Sequence, residues 1–133
     1  MGIRFPVCLL LLVVPGLSLR GGDSADRPWA VEHFDALIFV ALEGYRDHAN
    51  GRAGFRAACV RCHRFGAEGK RESPDLTQKA TTSEPRTLLA AILERRSPTD
   101  HGSLLRDFSE EDVLDLLAYL LSGGDASDAM FAK

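Results

Sequence analysis

Cys59-Val60-Arg61-Cys62-His63 sets two thiols either side of a two-residue gap and follows them at once with an imidazole. Three chemistries use such a set. As C-x-x-C-H it is an attachment sequence for a c-type haem: both sulfurs add to vinyl groups along one porphyrin edge, and the next residue lies under the iron as an axial ligand. As half of a tetrahedral zinc site it needs a second ligand pair with its own short spacing. As a redox dithiol it belongs beside a βαβ pattern. The third cysteine, Cys8, and the other histidines, His33, His48 and His101, stand singly, and no β-rich segment surrounds the motif. The pattern therefore points to one covalently held haem, anchored by Cys59 and Cys62 with His63 on the metal, and zinc or a free dithiol are the minor alternatives.

The elements that must position this motif follow from the patterning on either side. Arg4 and the apolar run from Phe5 to Leu17 read as an export signal. The run is interrupted by Pro6 and Pro15 and falls short of the roughly 20 apolar residues that span a bilayer. Small residues at Gly16 and Ser18 place the cut after Ser18, with Ala25 as a later alternative, and Cys8 is an apolar residue of the signal core. The chain thus divides into a signal peptide (1–18), a Gly-, Asp- and Ser-rich flexible leader (19–27), one domain (28–124) and a loosely packed tail (125–133). Export implies a periplasmic or envelope-associated protein with no stable transmembrane span. Its 133 residues carry a net charge of −3. That balance does not invite nucleic acid, and it suits a basic docking partner.

Within the domain the spacing predicts an all-α fold. Trp29, His33, Phe34, Leu37, Ile38, Ala41 and Leu42 recur every three or four residues, so one helix is expected from Pro28 to about Tyr45. His33 on that stripe reads as a packed or hydrogen-bonded residue, and His48 as a solvated loop residue. Asn50 is the expected N-cap of a helix that runs into the motif, with Gly51 and Phe55 on one face. Phe65 to Lys70 and Ser73 to Thr77 read as loop and turn. A helix from Glu84 to Arg95 faces Leu88, Leu89, Ile92 and Leu93 inward and ends at Ser97-Pro98. The last helix has the clearest start: Ser109 as N-cap, Asp112 three residues on, and Glu110 and Glu111 complementing the dipole. Val113, Leu116, Leu117, Leu120 and Leu121 make its buried face, and Gly123-Gly124 stops it.

Gly51-x-x-x-Phe55 before CVRCH, Pro74-Asp75-Leu76-Thr77 after it and a final Leu117-Ala118-Tyr119-Leu120 helix resemble a class I cytochrome c. More narrowly, Asn50 to Ala53, Cys62 to Phe65, Pro74 to Thr77 and Leu114 to Leu120 are similar to haem-binding domains at the C-termini of large secreted dehydrogenase-like bacterial proteins. The resemblance implies a small cytochrome c-like helical domain, here with an extra N-terminal helix behind the signal. First and last helices would cross at Gly51, with Phe55, Leu116 and Tyr119 packing around the crossing. It further implies one haem c, an electron-carrying rather than enzymatic role, and a redox protein partner, for which a dehydrogenase is one candidate. Pro74 would lend its carbonyl to the second ring nitrogen of His63, fixing the tautomer.

The family's distal methionine is missing. Only Met1 and Met130 exist, and Ser97 to Leu105 occupies the expected region with His101 near the methionine's place. Three states of the sixth site follow: His101 as second metal ligand, an open site, or Met130 folded back. An open site would suit a haem-based ligand sensor or a peroxidase-like enzyme.

Overall fold

The computed structural model of the chain describes residues 29–96 and 99–133. The expected signal peptide and leader, and the Ser97-Pro98 helix stop, lie outside the described residues. In chain order come α1 (Val31–Phe34), α2 (Ile38–Ala41), α3 (His48–Ala58), β1 (Arg64–Phe65), β2 (Glu68–Gly69), α4 (Leu76–Thr81), α5 (Pro85–Ile92), β3 (Arg95–Arg96), β4 (Thr99–Asp100), α6 (His101–Leu104) and α7 (Glu110–Leu121). A short 3-10 helix, Ala129–Phe131, closes the chain. The fold is mostly helical, and its strands are two minimal antiparallel hairpins, β1–β2 and β3–β4.

The centre is α7 lying on α3. The capping box at Ser109 and Asp112 forms as its residues predict: Asp112 N donates to Ser109 Oγ at 3.2 Å, and Ser109 N donates to Asp112 Oδ2 at 2.8 Å. From Val113 to Leu120 every residue of α7 is buried, so the helix is enclosed all round rather than along one stripe. Gly51 is what lets α3 approach. A Cβ built there would stand 2.7 Å from Tyr119 Cβ and against the Asp115 carbonyl, so any larger residue would force the helices apart. Phe55 and Leu116 are fully buried at the same place, and Phe55, Phe65 and Tyr119 form a cluster of tilted rings 5.3–6.2 Å apart.

A buried carboxylate also sits in the crossing. Asp115, 5 % exposed, accepts from the Asp47 backbone N–H at 3.0 Å and from Asn50 Nδ2 at 2.9 Å, with Arg46 Nη1 at 3.4 Å. Those donors offset the loss of hydration that burial imposes.

Local readings give way wherever a distant partner enters. The single helix expected from Pro28 to Tyr45 is two short ones: Asp35 N and Leu37 N bond back only three residues, to Glu32 and Phe34. Asp35 in this break accepts from Arg86 Nε of α5 at 2.7 Å. The N-cap of α3 is Asp47, not Asn50, because Asn50 sits in the first turn and sends its side chain to Asp112 and Asp115. His48 is half-buried in the same turn. Its ring bonds the Gly124 carbonyl at 2.9 Å and packs edge-on against Tyr119 and Phe131. The final residues are tied down rather than frayed, because Tyr45 N and Arg46 N donate to the carbonyls of Ala132 and Met130. His33 is packed and hydrogen-bonded, against Trp29 and Phe34 and to Glu110 Oε2 at 2.6 Å.

Candidate haem site

α3 ends at Ala58, and the motif forms one compact turn behind it. The Cys59 carbonyl accepts from both Cys62 N (3.1 Å) and His63 N (2.9 Å), while Cys59 N remains in the helical ladder through Phe55 O (2.8 Å). Both thiols and the imidazole thus spring from a single turn anchored to a rigid helix. Cys59 and Cys62 are free thiols. Burial, with a smaller contribution from Cys62, pushes the Cys59 thiol up to about 12. Among the described residues no three of His, Cys, Asp and Glu gather as metal ligands, which speaks against a zinc site.

The chain then folds back beneath His63. β1 and β2 pair with Arg64 opposite Gly69, and a Cβ at Gly69, whose φ is +90°, would collide with the His63 carbonyl. This is one of the few places in the chain where only glycine fits. Arg52 and Arg56 on α3 both donate to Glu68 and hold the hairpin against the helix; their hydrogen bonds draw the Glu68 carboxyl down to about 2. Ser73 N bonds the Cys62 carbonyl at 3.0 Å. Asp75 caps α4 through Thr77 N (2.8 Å), and Gly66 N donates to Thr77 Oγ1 (2.9 Å), closing the loop on itself. The result is an oriented carbonyl: His63 Nδ1–H donates to Pro74 O at 2.7 Å. A carbonyl can only accept, so Nδ1 carries the proton, and in the neutral ring Nε2 holds the lone pair.

His101 comes from the other side of the sequence. α5 leads into the β3–β4 hairpin, and His101 opens α6 with Asp100 as N-cap, accepting from Ser103 N at 3.1 Å. Gly102 N bonds the Glu94 carbonyl at 3.0 Å, and His101 Nδ1–H donates to the Ala91 carbonyl at 3.0 Å. The imidazoles of His63 and His101 lie close together, tilted, with centroids 5.9 Å apart and planes at 46°. Cys59, Val60, Leu76 and Ile92, which adjoin these groups in sequence, are only partly covered by the core. Two thiols, two imidazoles and an incompletely covered apolar margin are a donor set that fits a covalently held haem.

Cys59, Cys62, His63 and Pro74 therefore lie in one neighbourhood, with His101 opposite. Sequence reasoning missed the Ala91 carbonyl, the Asp75–Thr77–Gly66 latch and Gly69. Only Gly69 had a visible signal, as a glycine six residues behind the motif histidine. Ala91 O is one of the carbonyls that the end of any helix leaves without an intrahelical partner, and nothing in its side chain marks it.

No helix among the described residues is long and apolar enough to cross a membrane. Comparison with curated proteins and with solved structures gives no match. The family model for cytochrome c matches residues 48–124, from the first residue of α3 to the Gly123-Gly124 stop behind α7. Because that span is more than half of the chain and contains both the C-x-x-C-H turn and the α3–α7 crossing, the chain belongs to the cytochrome c family and is a haem-binding electron-transfer protein.

Proposed function

We propose that the protein carries single electrons on one haem, covalently attached through Cys59 and Cys62 and ligated on its proximal side by His63. The observation that carries this reading is the 2.7 Å bond from His63 Nδ1–H to the Pro74 carbonyl beside the CVRCH turn. When bound, the haem supplies an iron that alternates between ferric and ferrous states by one electron. The chain's own residues do the rest. Pro74 orients the His63 ring, commits its lone pair to Nε2 and makes it a stronger ligand. The α3 turn fixes both sulfurs relative to that ring.

Export by residues 1–18 would deliver the chain to the periplasm or cell envelope, where thioether attachment takes place. A dehydrogenase is the electron donor that the narrower resemblance suggests. The overall acidity would favour a basic partner, yet the segment carrying the motif has the opposite sign: seven Lys and Arg against three Asp and Glu between Arg52 and Lys79. Local charge governs docking, so the partner face that meets this segment is acidic.

The test is the mass of protein exported with the haem-attachment machinery present. It should exceed that of the signal-cleaved polypeptide by one haem, and the colour should stay on the chain through acid–organic extraction. Cys59→Ala and Cys62→Ala should weaken or abolish attachment. An unmodified wild-type mass under those conditions overturns the reading.

A further inference from the structure

We propose that His101 is the second axial ligand, so that the iron held by His63 is closed on both faces by imidazole; this rests on the reading that a haem sits at the CVRCH turn. Two imidazoles bound to opposite sides of one metal ion, each about 2 Å from it, have centroids about 6 Å apart. The rings of His63 and His101 stand 5.9 Å apart. Both are presented in the same way: each donates Nδ1–H to a backbone carbonyl, Pro74 at 2.7 Å and Ala91 at 3.0 Å. In the neutral tautomer each ring then offers a lone pair on Nε2. Two acceptors cannot hydrogen-bond each other, and among the described residues neither Nε2 has a partner. Paired imidazoles with only lone pairs to offer suit an electropositive centre between them.

The distal side is built rather than open. The backbone on either side of His101 is secured by Gly102 N to Glu94 O, by the Asp100 cap on Ser103 N and by the β3–β4 pairing. The other candidates are committed elsewhere. His33 holds Glu110 and His48 holds the Gly124 carbonyl. Met130 belongs to the 3-10 helix that bonds Tyr45 and Arg46 and packs Phe131 on His48, at the N-terminal end of α3. The CVRCH turn follows the opposite end, 11 helical residues away, which at 1.5 Å per residue is about 16 Å. An imidazole pair of this kind lowers the potential relative to a His/Met pair and leaves no position for a small ligand, so the site suits electron transfer rather than ligand sensing.

The test uses exported, haem-loaded protein and reads the ferric absorption and electron paramagnetic resonance spectra together with the intact mass. Wild type should be low-spin, without a sulfur-to-iron charge-transfer band, and its reduced form should not take up carbon monoxide. His101→Gly should keep the haem mass but become high-spin and bind carbon monoxide; added imidazole should restore the low-spin spectrum. His101→Met should bring in the sulfur band and raise the potential. If His101→Gly does not accumulate, the wild-type and His101→Met spectra decide. A low-spin His101→Gly spectrum without imidazole, a high-spin wild type, or a sulfur band in wild type overturns the assignment. Absence of the haem mass from wild type instead overturns the reading of the CVRCH turn, so the two failures are distinguishable.

Discussion

The α3–α7 crossing and the histidine pair are held by different forces, and the contrast explains what each does. At the crossing, fully buried Phe55, Val113, Leu116 and Leu117 meet across a close approach at Gly51, and the buried Asp115 carboxylate accepts two hydrogen bonds beside the Arg46 guanidinium. Burial of that kind contributes directly to the stability of the polypeptide. At the histidine pair, each ring is held by one hydrogen bond to a backbone carbonyl, the rings are half-exposed and Cys62 is exposed. The first region is a packed scaffold; the second presents its groups at a partly open surface.

The strongest way to break the comparison is at the scaffold. Gly51→Leu has no space against the Asp115 carbonyl and Tyr119 Cβ, so it should abolish the cooperative thermal transition whether or not haem is attached. A normal melting curve would mean that the helices do not approach there. Tyr119→Ala should retain the fold but lose about 3–5 kcal/mol in denaturant titration, as truncation of a buried aromatic does. Ser109→Ala removes the capping-box hydroxyl and should cost about 1 kcal/mol by the same measurement. Tyr119→Ala and Ser109→Ala belong to the scaffold and should leave the spin state of the folded holoprotein unchanged.

Substitutions at the site should register at the haem as well. Asp75→Ala removes the cap of α4 and the anchor of Thr77, loosening the loop that presents the Pro74 carbonyl. It should cost about 1 kcal/mol, as loss of a helix cap does, and in addition the potential should shift, because the His63 ring loses its fixed hydrogen bond. An unchanged potential would separate Pro74 from the tuning of His63. The smallest effect is one of pH. Arg56 and Arg52 lower the Glu68 pKa from 4.5 to about 2, so the clamp on the β1–β2 hairpin is fully present above pH 4.5 and is lost as pH falls towards 2. Protection of the Gly69 amide relative to its intrinsic exchange rate should fall over that window in wild type and stay constant in Glu68→Gln.

The features legible in the sequence were those whose partners lie within one turn of the chain. CVRCH declares its chemistry because two thiols and an imidazole on adjacent residues cannot be far apart in any fold. Ser109 and Asp112 cap α7 across three residues, and Gly123 and Gly124, with φ of +69° and +78°, stop it where a left-handed turn is needed. The inward face of α7 could be read from its period, but its complete enclosure could not, since that depends on what surrounds it. Asn50 looked like a cap until Asp112 and Asp115, more than 60 residues away, took its side chain. The helix expected through Asp35 broke where Asp35 reached Arg86. His101 is the sharpest case: its identity and approximate place were visible, but only the tertiary structure sets it opposite His63 with an Ala91 carbonyl behind it. Covalent neighbours and helical period act over a few residues and are written in residue types. The pairing of distant loops depends on backbone carbonyls that every residue shares, so only the packing of α5, α6 and the motif turn could decide it.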